Sequence, residues 1–123
     1  MVADDECSIA ATVGTILRNA GYEVEVYVNG ATARDQTPGP DLAIIDPVLP
    51  GLNGTELAIN LVRRFPACRI LLFSARAVVG CSQVEAVRRA GYQFPLLAKP
   101  VYPTELLERV AFEVGLPQAQ AVA

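Results

Sequence analysis

Five side chains that could take part in chemistry stand just beyond short apolar runs of the chain, where strands are expected to end. They are Asp4, Asp5, Asp46, Ser74 and Lys99. Several carboxylates held close together repel one another unless a cation joins them. A hard divalent ion with oxygen ligands, Mg²⁺ above all, would satisfy that need. The set therefore predicts a magnesium site that includes at least part of this group.

Asp46 is the residue of this set with nucleophilic potential. A carboxylate can attack phosphorus to give an acyl phosphate, and it needs no general base because it is ordinarily ionised at neutral pH. The transferred group then needs positive charge and hydrogen-bond donors around its oxygens. Lys99, Ser74 and the bound cation would supply them.

Each residue taken alone also has an ordinary structural explanation. Asp4 and Asp5 could favour the N-terminus of a following helix, and Asp46 before a proline could form a turn. Ser74 could bond local backbone, and Lys99 could be surface charge. However, Lys99 is the only lysine beside nine arginines, and it directly follows an apolar strand. The conjunction of all five at strand ends favours a functional site.

Apolar patterns predict the elements that must position these residues. Helical stripes of apolar residues extend over Ser8–Ala20, a short stretch 31–36 and Ser82–Ala90. Another helix is predicted to begin after Asn53, which can cap it, with Glu56 three residues later. The last helix is predicted to begin at Pro103. Strands are predicted at Tyr22–Val28, Leu42–Ile45, Arg69–Phe73 and Phe94–Ala98. Alternating strands and helices imply an α/β fold with a parallel sheet covered on both faces. Ligands bind beyond the carboxyl ends of such strands, which brings the five residues to one crevice.

Composition excludes several other classes of site. The chain is 52% hydrophobic and 19% charged, as expected of one globular domain, and its net charge of −3 argues against direct nucleic-acid binding. It contains no histidine, which excludes Cys/His zinc sites and Ser-His-Asp catalysis within the chain.

Cys7, Cys68 and Cys81 form no C-x-x-C pair and are predicted to be small apolar residues in or near the core. No apolar run approaches membrane-spanning length, and the acidic N-terminus is not a signal peptide.

These motifs, in this order, resemble the receiver domains of two-component response regulators over nearly the whole chain. The matching segments are Asp4-Asp5-Glu6, Leu42–Asp46 followed by Pro50 and Gly54, Ser74-Ala75, and Lys99-Pro100. The resemblance implies a doubly wound, flavodoxin-like sheet of five parallel strands in the order 2-1-3-4-5. It implies phosphorylation of Asp46 by a histidine kinase or phosphotransfer protein. It also implies Mg²⁺ held by Asp5, Asp46 and the backbone carbonyl of Val48, with Asp4 helping largely through water.

The resemblance further implies how the signal leaves the site. Lys99 would pair with the phosphoryl group, and Ser74 would bond it and draw in the following loop, towards the fourth helix and fifth strand. The downstream protein is not specified by the sequence, and a homodimer is left open. Such a domain is a cytoplasmic phosphoacceptor and not an enzyme, with at most slow self-dephosphorylation. We expect it to occupy residues 1–115, with 116–123 as a flexible tail or linker.

Three features depart from the family pattern. Only Met1-Val2-Ala3 precede Asp4, so the first strand, central in such a sheet, is predicted to be truncated. The segment 30–40 is short for the family's second helix. The position of the usual switch aromatic is Leu96, for which Phe94 or Tyr92 could substitute.

Two alternatives come from other classes of protein. A dehalogenase-type phosphatase would need a second aspartate where Val48 stands. A receiver-like interaction module that works independently of phosphorylation would have no reason to retain all five of the predicted site residues.

Overall fold

The structure is a computed structural model that describes residues 1–35, 39–74 and 82–116. Its strands are β1 (Val2–Ala3), β2 (Val26–Tyr27), β3 (Leu42–Ile45), β4 (Arg69–Ser74) and β5 (Leu96–Ala98). Its helices are α1 (Cys7–Asn19), α2 (Gly30–Arg34), α3 (Gly54–Arg64), α4 (Ser82–Arg89) and α5 (Pro103–Val114). The strands form one parallel sheet in the order β2-β1-β3-β4-β5, which confirms the predicted fold class.

The central strand β1 is as short as the sequence predicts. Val2 and Ala3 lie between β2 and β3, and both side chains are buried. Met1 lengthens the hydrogen-bonded ladder without belonging to the strand: its carbonyl accepts from the Ile44 amide at 2.9 Å, and its amino group donates to the Leu42 carbonyl at 2.9 Å. The central place in the sheet is therefore filled by only two strand residues and the backbone of Met1.

The prediction of a strand over Tyr22–Val28 is wrong in length, since only Val26–Tyr27 pair. The physical reason is the partner: β2 pairs with β1, and β1 has two residues to offer. The alternation behind the prediction is nevertheless real, because Glu23 and Glu25 are exposed while Val24 is partly buried. A period of two thus reports which side chains face the core, not whether a neighbouring backbone is there to pair.

Two apolar layers cover the sheet, one on each face. On one face, α2 and α3 pack a layer that includes Ala33, Leu57, Leu61, Ile45 and Leu72. On the other, α1 and α5 pack a layer that includes Val13, Leu17, Ile44, Leu106 and Val110. β3 is buried along its entire length because its alternate residues serve both layers, as its uninterrupted apolar sequence predicts.

The remaining helices lie close to their predicted positions. Pro103 opens α5 at its first turn, as predicted. Asn53 caps α3, with its side-chain oxygen accepting from the Thr55 amide at 3.0 Å. α2 ends at Arg34, and position 36, where its end was predicted, lies outside the described residues. In the described ranges, no helix is long and apolar enough to cross a membrane.

The cysteines differ from one another in environment. Cys68 is buried in the layer beneath α3, as predicted, and burial raises the pKa of its thiol to about 11. Cys7 is exposed at the first position of α1, so its predicted core location is wrong. The first two residues of the helix, Cys7 and Ser8, are exposed, and its apolar stripe starts only with Ile9 and Ala10. Cys81 lies outside the described residues.

The thiols of Cys7 and Cys68 should therefore react at very different rates. In a Cys81→Ser background at pH 8, iodoacetamide should alkylate Cys7 readily, because the thiolate is the nucleophile and that thiol is accessible. Cys68 should react only after denaturation, since its thiol is both buried and protonated at that pH. Peptide mass spectrometry with time gives the two rates separately. Equal rates in the native protein would contradict the burial of Cys68.

Candidate functional site

The sheet brings the predicted residues to one edge. Asp4 follows β1, Asp46 follows β3, and Lys99 follows β5, while Ser74 is the last residue of β4. Hydrogen bonds between neighbouring strands fix the backbone there: the Asp4 amide donates to the Tyr27 carbonyl at 3.0 Å, the Asp46 amide to the Ala3 carbonyl at 2.9 Å, and the Lys99 amide to the Ser74 carbonyl at 2.8 Å. The positions are set by the sheet itself.

Lys99 is the centre of the charged cluster. Its ammonium nitrogen, Nζ, lies 2.6 Å from Asp4 Oδ2 and 2.8 Å from Asp46 Oδ2. The lysine side chain is 8% exposed, and those of Asp4 and Asp46 are 1% and 15% exposed. These ion pairs are therefore largely shielded from water, which makes each charge depend on its partners.

The Lys99 ammonium also lies over the ring of Phe73, 5.1 Å from the ring centroid. Burial alone would lower the pKa of Lys99, but its close contacts with the Asp4 and Asp46 carboxylates and their charge attraction outweigh burial, and the pKa is raised. Lys99 is thus held in its charged form throughout the neutral range. Phe73 is not among the residues predicted for the site, although it stands one residue before the end of the RILLF-Ser run, opposite Leu97 in the neighbouring strand.

Asp4 is the buried member of the cluster. Its Oδ1 accepts from the Glu6 amide at 2.9 Å. Its Oδ2 is close to the Lys99 ammonium, but the angles of that contact are not those of a hydrogen bond, and this atom has no hydrogen-bond partner among the described residues. We regard the contact as an ion pair, because 2.6 Å between opposite charges is strongly attractive whatever the angle. Asp4 Oδ2 retains capacity to accept another bond.

The residues present fit a hard divalent cation. Oxygen atoms of Asp4, Asp5 and Asp46 all lie within 4.8 Å of one another. Three carboxylates against one ammonium leave an excess of two negative charges in a small volume, and Asp5 is exposed at its open side. Such carboxylates are the ligands that Mg²⁺ prefers, usually together with several waters. The predicted grouping of these three residues is thus present in the structure.

The loop between β3 and α3 holds Asp46 in place. The Val48 amide donates to Asp46 Oδ1 at 2.9 Å, which leaves Oδ2 for Lys99. Gly54 passes so close to the Asp46 backbone that a Cβ on it would lie 1.8 Å from the Asp46 carbonyl oxygen. On the other side, the Gly30 amide donates to the Pro50 carbonyl at 3.0 Å. Any side chain at position 54 would displace the residue that carries the nucleophile.

Other predicted residues are placed less completely. Ser74 joins the edge through its backbone, and its side chain is partly buried, so the role of its hydroxyl stays a prediction. Val48 is 55% exposed, and its carbonyl stays a predicted ligand. Leu96 is partly buried against the α3 layer, while Tyr92 and Phe94 stack on each other with ring centroids 5.6 Å apart. Ala75 and the loop after Ser74 lie outside the described residues.

Comparison with known proteins identifies the family. Residues 1–111 match the response regulator receiver domain family. The chain is 32% identical to the transcriptional regulatory protein CreB of Escherichia coli over 114 residues, which cover 89% of this chain and 47% of CreB. It is 31% identical to the DNA-binding transcriptional regulator NtrC of Rhizobium meliloti, over 96% of this chain and 24% of NtrC. The chain thus spans half or less of the length of these relatives.

Solved structures share the fold. A CheY-like receiver domain protein from Methanospirillum hungatei superposes with a TM-score of 0.74 at 25% identity, over 90% of this chain and 88% of that one. The receiver domain of NtrX from Brucella abortus superposes with a TM-score of 0.76 at 23% identity, over 92% and 95% of the two chains. The resemblance drawn from the sequence motifs is confirmed, and the chain belongs to the receiver domains of two-component response regulators.

Proposed function

We propose that Asp46 is the residue of this receiver domain that accepts the phosphoryl group, in a reaction that requires Mg²⁺. The single observation that carries the proposal is the shielded cluster in which Lys99 bridges Asp4 and Asp46 beside the exposed Asp5. The donor would be the phosphohistidine of a kinase or of a phosphotransfer protein. A carboxylate oxygen of Asp46 would form the new O–P bond as the donor's P–N bond breaks, and the leaving imidazole would keep the electron pair.

The cluster suits this transfer because its cation is already in position. Lys99 neutralises Asp46 before the reaction, and after it the same ammonium would turn to a phosphoryl oxygen only a short distance away. Its ion pair with Asp4 and its contact with the Phe73 ring would hold it during that change. A preorganised charge of this kind stabilises the transition state without reorganisation of water.

The excess negative charge of the cluster explains the need for a divalent ion. Asp4, Asp5, Asp46 and the backbone carbonyl of Val48 would hold Mg²⁺. The ion would supply positive charge to the phosphoryl oxygens as they approach three carboxylates. The capacity that Asp4 Oδ2 retains supports a place for Asp4 in the ion's surroundings, directly or through water.

Output from the site would run through Ser74. Its hydroxyl would donate a hydrogen bond to the phosphoryl group. Because the Ser74 carbonyl already accepts from the Lys99 amide, a displacement of Ser74 would move the ends of both β4 and β5. The altered surface would lie around α4 and β5, where Tyr92 and Phe94 stack. The downstream partner would be a protein recognised by that surface. With a net charge of −3, the domain would not bind nucleic acid itself.

The chain would act in the cytoplasm, where its kinase would be found, and it would be a phosphoacceptor with at most slow self-dephosphorylation. A dehalogenase-type phosphatase is disfavoured because Val48, 55% exposed, stands where that class needs its second aspartate. A module independent of phosphorylation is disfavoured because the acidic cluster and its lysine are all in place. Turnover of a small phosphate ester, or partner binding unchanged by phosphorylation, would revive these two alternatives.

Incubation with acetyl phosphate and Mg²⁺ tests the proposal. Intact-mass spectrometry should show one added phosphoryl group per chain, and borohydride reduction of the acyl phosphate should place it at position 46. A chelator of divalent ions should abolish the gain, since the excess charge of the cluster would repel the donor. Labelling at another residue, or equal labelling with the chelator present, would overturn the proposal.

A further inference from the structure

A cleft of about 480 Å³ opens beside the C-terminal end of α4. Its lining includes the buried side chains of Leu72 and Val87. It also includes the stacked rings of Tyr92 and Phe94, which precede β5. Asp46 instead follows β3, so the cleft and the acidic cluster lie at opposite ends of parallel strands. The cleft is therefore separate from the site at Asp46, and its volume is in the range of ligand-binding clefts.

Arginines surround this cleft. Arg88 lines it, and Arg63, from the last turn of α3, reaches its aromatic wall, where Nε donates to the Tyr92 hydroxyl at 3.3 Å. Further exposed arginines lie at the same end of the molecule, namely Arg64, Arg69 and Arg89. Five of the nine arginines of the chain thus lie where α3 and α4 end and β4 begins. The acidic residues described there are Asp41 and Glu85, so this part of an acidic protein is locally positive.

The charges of these arginines are available to a partner. Arginine is common in the last turn of a helix because it meets the negative end of the helix dipole, but Arg69 is the first residue of a strand and has no such role. No ion pair joins Arg69 or Arg89 to another described residue. Arg88 pairs with Glu85 at 3.2 Å, with its own side chain 55% exposed. Because an exposed pair of this kind contributes little stability, Arg88 can turn to another carboxylate at small cost.

We infer that this cleft binds an acidic peptide segment of the downstream protein. One apolar side chain of the peptide enters the cleft, and carboxylates on both sides of it accept from Arg63 and Arg88. Charge selects this partner over a nucleic acid, because a net charge of −3 repels a long phosphate backbone, whereas a short peptide meets only the local arginines. The choice of this surface as the output rests on the proposed function, but the binding itself needs no phosphoryl group.

A fluorescein-labelled peptide with blocked ends, in which two aspartates stand on each side of one tryptophan, tests the inference. Fluorescence polarisation at low salt should give the unphosphorylated protein a dissociation constant on the order of 100 µM. Arg88→Glu should weaken binding about fivefold or more, because an attraction becomes a repulsion. Gln93→Arg adds a positive charge to the cleft lining and should strengthen binding about threefold. In NMR spectra, the peptide should shift the amide signals of Tyr92, Gln93 and Phe94.

Matched controls separate this binding from net charge. Arg18→Glu makes the same charge change at an exposed arginine in the last turn of α1, on the other face of the sheet, and should leave the affinity unchanged. The same labelled peptide with asparagines in place of aspartates should bind about fivefold more weakly or not at all. An Arg88→Glu variant that binds as wild type does, or an equal loss in Arg18→Glu, would overturn the inference.

Two further measurements distinguish the inference from its neighbours. Tighter binding of a uridine decamer than of the peptide, lost in Arg88→Glu, would overturn the inference and assign the cleft to RNA. Labelling by acetyl phosphate should be the same in Arg88→Glu as in wild type, because the cleft is at the far end of the strands from Asp46. Peptide binding by a wild type that cannot be labelled would overturn the proposed function and support the cleft as a peptide site.

Discussion

Asp46→Asn should abolish labelling by acetyl phosphate, while leaving the protein folded. Asparagine has nearly the same shape, and its side-chain oxygen can still accept from the Val48 amide, so the loop after β3 should keep its place. It lacks the negative charge and the nucleophilic oxygen, so no acyl phosphate can form. Intact-mass spectrometry after incubation with donor and Mg²⁺ measures the result directly.

The same variant should also bind Mg²⁺ more weakly, because one of the three grouped carboxylates becomes neutral. Asp41→Asn is the matched control: Asp41 is an exposed aspartate directly before β3, and its replacement should leave both labelling and Mg²⁺ affinity unchanged. Labelling of Asp46→Asn equal to that of wild type would show that the acceptor is another residue.

The parts of the fold that could be predicted are the elements whose bounds are determined by the residues of one short segment. β3 matches its predicted bounds because a strand buried on both faces is apolar throughout, and the aspartate that follows ends the run. α5 begins where Pro103 predicts, since a proline at the first turn loses no hydrogen bond. The length of β2 could not be predicted this way, because it is limited by β1, a different part of the chain.

The site shows the same division. The meeting of Asp4, Asp46 and Lys99 could be predicted because parallel strands bring their carboxyl ends to one edge. The sequence could not show that Lys99 bridges the two carboxylates directly, or that it lies over Phe73, because these contacts depend on the distance between strands and on side-chain rotamers. Nor could it show that Asp4 is the buried carboxylate and Asp5 the exposed one.

That difference in burial leads to opposite expectations for two substitutions in one cluster. Lys99→Ala removes the charge that neutralises Asp4, which is 1% exposed, and breaking a buried ion pair from one side destabilises a protein by about 3–5 kcal/mol. We expect a loss near the lower end, about 3 kcal/mol, because the Asp46 side chain is 15% exposed and less deeply buried than Asp4. Asp5→Ala removes an exposed carboxylate and should change the free energy of unfolding by less than about 0.5 kcal/mol.

The two substitutions should affect Mg²⁺ affinity in the opposite order to their effects on stability. Asp5→Ala should bind the ion more weakly, since a charged ligand is lost, whereas Lys99→Ala should keep or increase its affinity, since a neighbouring positive charge is lost. The ion should therefore recover part of the stability lost in Lys99→Ala. Urea unfolding with and without Mg²⁺ measures the stabilities, and isothermal titration calorimetry measures the affinities.

Lys99→Met separates the charge of the lysine from its packing. Methionine keeps an apolar stem of similar length beside the Phe73 ring but has no ammonium, so it should behave as Lys99→Ala does towards Mg²⁺. The measurements belong near neutral pH. The folded-state pKa of Lys99 is raised, so the stability from its charge is fully present below the ordinary lysine pKa and is lost only as alkaline pH passes the raised value. If Lys99→Ala and Lys99→Met weakened Mg²⁺ binding as much as Asp5→Ala does, the lysine would be helping to hold the ion's ligands in place, and the roles given to these two residues would be wrong.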